Sequence, residues 1–88
     1  MEICKLEGFI IKLKEKGKTD KFVCWSNSYN WMHYLTKKEI KEYMASEGWQ
    51  PKIYVTEGKA KQAVNKLQYT DKYEYEIVPV YISITDRD

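Results

Sequence analysis

The sequence predicts an α+β fold, and three observations carry that prediction. Residues 52–84 read as strand, helix, strand; residues 36–47 carry complete helix punctuation; and residues 3–25 read as two β-prone runs around a glycine-containing turn. The expected order is ββαβαβ, a mixed four-stranded sheet with two helices on one face.

With 88 residues the expectation is one domain, 1–88, folded over 1–84 with a loose tail at 85–88. A domain of that size buries roughly 60–65% of the surface its unfolded chain exposes, which leaves little room for a deep enzyme pocket. Apolar residues at 43% and charged ones at 32% are ordinary for a soluble protein. The longest apolar runs fall far short of a membrane span. The opening Met1-Glu2-Ile3-Cys4-Lys5 lacks the basic region and apolar core of a signal peptide, so the expected location is cytoplasmic.

In the first strand, 3–14, Phe9, Ile11 and Leu13 alternate with Ile10, Lys12 and Lys14. Glu15-Lys16-Gly17-Lys18-Thr19 is a turn with glycine available for a positive φ, and 22–25 is a short second strand. The hairpin tip gathers Lys12, Lys14, Lys16, Lys18 and Lys21 against Glu15 and Asp20. A tight hairpin brings Cys24 near Phe9 and leaves Cys4 several residues away, whereas a disulfide needs Cα atoms within about 7 Å. Both cysteines therefore read as buried structural thiols.

Residues 26–33 alternate polar and aromatic side chains without a sustained period, which predicts a loop. Thr36-Lys37-Lys38-Glu39 then matches a capping box, with Leu35 and Ile40 in hydrophobic-staple positions. Ile40, Tyr43 and Met44 form one apolar stripe of a helix over 36–47, and Gly48 is placed to end it. Trp49 can fold back on the helix end or cover the sheet, and Pro51 opens the next strand. That strand centres on Ile53, Tyr54 and Val55; Thr56 is the N-cap of a second helix bearing Ala60, Ala63, Val64 and Leu67 at helical spacing.

After a polar break at 68–72, residues 73–84 hold five Val or Ile and three Tyr in twelve positions. Val78, Val80, Ile82 and Ile84 share one parity and are expected against the helices. Tyr73, Tyr75, Ile77 and Tyr81 share the other. Pro79 donates nothing to a ladder, so the strand lies at an edge or carries a bulge there. If the two strands flanking the second helix pair directly, they are parallel and joined by a right-handed crossover.

No catalytic constellation emerges. His33 is the sole imidazole and lacks a sequence-evident nucleophile or metal set, and two thiols with one histidine make no zinc site. Glu74 and Glu76 share a strand face, where a solvated surface explains them as well as a carboxylate pair does. Gly8, Gly17, Gly48 and Gly58 are isolated and form no phosphate loop. The expectation is a non-enzyme with no cofactor and no metal.

A binding surface fits the composition better. Residues 1–41 hold nine lysines against five acids, and residues 42–88 six basic against eight acidic groups, giving a dipolar chain of net charge +2. Eight tyrosines and three tryptophans suit a protein interface. The candidate partner-binding residues are Lys14, Lys16 and Lys18 on the hairpin and Tyr73, Tyr75 and Tyr81 on the last strand. The competing expectation is nucleic acid, with the lysines on phosphates and the tyrosines as a stacking platform. Against it, Arg87 is the sole arginine and no helix-turn-helix or RNP-type signature is present.

The Thr-capped, alanine-bearing helix after a strand in 52–67, the closing run from Glu76 to Ile84, and more weakly the hairpin in 8–25, resemble small accessory proteins of bacteriophages and mobile elements. The preference for Lys, Tyr, Ile and Asn over Arg also looks like an AT-rich genome. The resemblance implies a protein that blocks a host defence, such as a CRISPR effector, or another host enzyme by binding it. The slight positive charge departs from the acidic mimicry expected of an inhibitor seated in a nucleic-acid groove.

Overall fold

The computed structural model describes residues 2–26, 32–67 and 72–85. Its elements are β1 (Glu2–Lys14), β2 (Lys21–Trp25), β3 (His33–Thr36), α1 (Lys37–Glu47), β4 (Gln50–Pro51), α2 (Glu57–Val64) and β5 (Glu74–Thr85). They build a small α+β unit around a five-stranded sheet ordered β3-β2-β1-β5, with β4 beside β2.

Among the described residues every strand ladder is antiparallel, which corrects the expected mixed four-stranded sheet. The segments flanking α2 do not pair with each other: β4 pairs β2, and β5 pairs β1 along its whole length. No parallel crossover is therefore made. The additional strand is β3, which begins at His33, the last residue of the expected loop, takes in Thr36, the first of the expected helix, and runs directly into α1; residues 27–31 of that loop lie outside the described residues. Hydrophobic alternation is weak over the four residues of β3, so its strand state depends on pairing with β2, Phe22 facing Leu35 and Val23 facing Tyr34.

The strand expected at 53–55 is displaced. Beyond the Lys12–Phe22 pair, β2 leaves β1, and residues 50–54 enter the gap: Cys24 pairs Pro51, Trp25 pairs Gln50, and Tyr54 exchanges two backbone bonds with Phe9 at 2.7 and 2.8 Å. Gly8 makes this insertion possible, because a Cβ there would lie 2.6 Å from both the Tyr54 carbonyl oxygen and Ile53 Cγ2. At the other end of the chain, Thr85 is the last residue of β5 instead of part of a tail, and 86–88 are outside the described residues.

The local helix signals act as expected. Glu39 N–H donates to Thr36 Oγ1 at 3.2 Å and Thr36 N–H to Glu39 Oε1 at 3.0 Å, completing the capping box. Gly48 adopts φ +70° just beyond α1. Thr56 caps α2 by accepting from Lys59 N–H at 3.1 Å.

The helices occupy opposite faces of the sheet, correcting the expectation of one shared face. On one face α2 places Ala60 and Val64 against Ile11, Leu13 and Val23, with Phe9, Tyr34, Tyr54, Tyr73 and Ile77 around them. On the other, Ile40 of α1 and Trp49 pack with Phe22, Cys24 and Leu35, flanked by Ile10. Alternation along β1, β2 and β3 divides neighbouring residues between these two cores. Both faces of β2 are covered, so its Phe22, Val23 and Cys24 are all buried.

This division reverses the expected orientation of β5. Tyr73 and Ile77 approach the α2 core, whereas Val78 and Val80 are half-buried on the other face and Ile82 is exposed. Pro79 sits on an edge strand, as one of the two alternatives required, and β1 bulges nearby between Leu6 and Gly8. Cys24 is buried, but Cys4 is an exposed thiol, contrary to the expectation that both are buried. The Lys12–Phe22 register also sets Cys24 level with Ile10, one residue from the expected Phe9.

Candidate functional site

Besides Glu15 and Asp20 of the hairpin itself, the lysines meet acids of β5 that the linear charge pattern did not place beside them. The β1–β5 register sets Lys12 opposite Glu76 and Lys14 opposite Glu74. Lys14 Nζ lies 2.9 Å from Glu76, while Lys12 reaches Asp20 at 3.6 Å and Glu76 at 3.9 Å. Hydrogen bonding to Lys14 and its positive charge hold the Glu76 carboxyl below its ordinary pKa, and the same contact raises that of Lys14. Lys18 pairs Glu15 at 3.5 Å in the turn, and Lys16 lines an open groove with Lys14, Glu15, Lys72 and Glu74. This end of the molecule therefore presents interleaved charge of both signs.

The tyrosines divide as well. Tyr73 is half-buried at the margin of the α2 core, edge-on to Tyr34 with ring centroids 6.0 Å apart, and Lys72 lies over its ring. Tyr75 and Tyr81 are 54% and 61% exposed. They share the α2-side parity of β5 but stand six residues apart, roughly 20 Å along a strand. Lys14 has the opposite parity, with its partner Glu76, so the basic arm and the aromatic platform do not form one continuous surface.

Tyr81 has a different set of neighbours. It pairs with Leu6 across the β1–β5 ladder, and Leu6, Tyr81 and Ile82 are all substantially exposed at the end of the two-strand ribbon. Leu6 and Ile82 were missing from the sequence-derived site because alternation alone assigned Ile82 to the core. The ribbon end also carries the exposed Cys4.

The remaining chemistry is restrained. Burial pushes the Cys24 thiol up to about 12, and its Sγ donates to the Phe22 carbonyl at 3.3 Å, so it is a protonated packing group at neutral pH. His33 lies beside Trp49 with ring centroids 4.7 Å apart. Among the described residues no group of three His, Cys, Asp or Glu side chains is placed to hold a metal ion. No helix among them is long and apolar enough to cross a membrane.

Comparison of the chain with protein-family models, curated proteins and solved structures finds no match. The chemistry of its surface consequently rests on its own residues: compensated charge at the hairpin end, exposed apolar and aromatic side chains along β5, and two small cores that hold the sheet between them.

Proposed function

We propose that this chain is a non-catalytic phage or mobile-element protein that binds and inhibits a bacterial defence system, such as a CRISPR effector, or another host factor. It acts in the cytoplasm of the bacterial host. Contact with protein is supported chiefly by the exposed Leu6, Tyr75 and Tyr81 on one side of the β1–β5 ribbon, while Lys12, Lys14 and Lys18 already face carboxylates. The choice of a bacterial host factor rests on the resemblance of 52–67, 76–84 and, more weakly, 8–25 to phage accessory proteins.

One observation favours nucleic acid as a second reading. An open groove of about 490 Å³ at the start of α1 is lined by three lysines, Lys12, Lys37 and Lys38, and one acid, Asp20, which pairs Lys12 at 3.6 Å, a net-positive concavity on the face opposite Tyr75 and Tyr81. Phosphate binding there would weaken by roughly one power of salt concentration per contact.

The deciding experiment is capture from a bacterial lysate, with and without nuclease digestion, followed by affinity measurement on the purified partner. Tyr75→Ala and Tyr81→Ala are expected each to cost about 2 kcal/mol or more, near 30-fold in affinity. A combined change of Lys14, Lys16 and Lys18 to Glu should mainly slow association. Tight, salt-sensitive binding to bare DNA or RNA, kept by the tyrosine variants and lost by the lysine variant, would promote the nucleic-acid reading instead.

A further inference from the structure

Among the described residues the strand partner of β5 is β1 alone, and no strand pairs with its outer edge. Its hydrogen-bonding parity follows from Phe9, whose N–H and C=O are both directed to Tyr54 and hence away from β5. Phe9 faces Pro79 in the ladder, so Pro79 belongs to a non-hydrogen-bonded pair and its backbone faces outward, as do those of Tyr75, Ile77 and Tyr81. Proline at 79 therefore costs no internal ladder bond. It does remove a donor from the middle of the open edge and divides that edge in two.

The two halves differ in charge. Before Pro79 stand Glu74 and Glu76, the latter engaged with Lys14 and Lys12. After it comes Val80-Tyr81-Ile82-Ser83-Ile84-Thr85, a six-residue run with no charge, proline or glycine and high β-propensity. Such a segment is suited to pairing with its own copies.

We propose that the outer edge of β5 from Val80 to Thr85 pairs antiparallel with the same edge of a second copy of this chain. Identical uncharged strands meet without burying a charge, which a strand of mixed composition would not guarantee. The ribbon formed by residues 2–6 and 81–85 exposes Leu6 on one face and Ile82 on the other, and a two-stranded ribbon is marginal in water; pairing makes it four-stranded. Antiparallel pairing also carries the rest of each copy away from the junction in opposite directions, so the two bodies do not collide. Both copies of Tyr81 then lie on one side of a continuous sheet. The paired run is short relative to interfaces of about 1,200–2,000 Å² in stable complexes, so the dimer is weak and concentration-dependent.

The proposal stands apart from the host-factor reading, since self-association is measured without any other partner. Sedimentation equilibrium of the whole chain up to about 200 µM should show a mass rising from 10.6 kDa toward twice that value. Tyr81→Pro removes an outward donor and leaves the bonds to β1, and Ile82→Lys puts a charge on the ribbon; each should weaken association at least tenfold. Val55→Lys, exposed and away from this edge, should leave it unchanged. Circular dichroism confirms that each variant is folded, and if Tyr81→Pro unfolds, Ile82→Lys decides. A wild-type protein that stays at 10.6 kDa throughout, or a dimer indifferent to the folded edge variants, would overturn the proposal.

Discussion

The same two strands, β1 and β5, serve opposite purposes along their length. From Gly8 to Lys14, β1 lies within the sheet, paired with β5 on one side and with Tyr54 or β2 on the other; Ile11 and Leu13 are essentially inaccessible to solvent. From Glu2 to Leu6 its only strand partner among the described residues is β5, and Cys4, Lys5 and Leu6 are exposed. The molecule is correspondingly long, 50 Å against 31 and 28 Å in the other directions, with a radius of gyration of 14.4 Å. A compact chain of this length would have a radius near 12 Å. The difference teaches that both halves form strand, whereas burial is concentrated where neighbours cover the ribbon.

The strongest way to break that comparison is to remove matched side chains from its two ends. Ile11→Ala should cost about 2–5 kcal/mol by leaving a cavity in the α2 core, while Ile82→Ala should stay within about 0.5 kcal/mol of wild type. Urea denaturation measures both, and equal losses would mean that the ribbon end is as tightly packed as the body. Gly8→Ala tests the boundary between them. Its methyl group would meet the backbone oxygen of Tyr54, so the inserted segment must shift, with an expected loss of about 1–3 kcal/mol.

Thr36→Ala should cost about 1 kcal/mol by breaking the capping box between β3 and α1, and a denaturation midpoint equal to wild type would remove that cap from the account. Thiol chemistry sharpens the contrast further. In the native protein one equivalent of a thiol reagent should react promptly at Cys4, while Cys24, buried and with its pKa raised to about 12, should react only on unfolding. Prompt labelling of both thiols would contradict the packing of β2 beneath α1.

The smallest effect concerns pH. The Glu76 carboxyl has a lowered pKa in the folded chain, so its stabilisation is present above the unfolded carboxylate value of about 4.3 and is lost as pH falls through the folded value. Lys14 has a raised pKa, so its share is present below about 10.4 and is lost as pH rises through the folded value. The pair is solvent-exposed and its effect is modest. Glu76→Gln should flatten part of the stability decline on acidification, and an unchanged acid profile would show that the ion pair adds nothing.

Some of the site was legible before the fold was known. Tyr75 and Tyr81 stood out as exposed aromatics of one parity, and both are exposed on that parity. Tyr73 was grouped with them by spacing, but α2 and Tyr34 partly bury it. Lys14 looked like part of a basic arm because its carboxylate partner lies sixty-two residues further along the chain and becomes a neighbour only through the β1–β5 register. Leu6 gave no signal, since its exposure comes from the absence of β2 and β4 beside that part of the ribbon.

What the sequence determined by itself are the features decided within a few residues: the capping box at Thr36 and Glu39, the positive-φ glycine after α1, the Thr56 cap of α2, and the β-prone stretches that became β1, β2 and β5. Their signals are hydrogen bonds three residues apart and side-chain periodicity, and they are present in any window of the chain. Only the tertiary structure decided which side of each strand faces which helix, that β3 would form, and that residues 50–54 would enter between β1 and β2. Alternation defines two faces without saying what covers either. That choice depends on the joint placement of distant elements, here two helices on opposite sides of one antiparallel sheet.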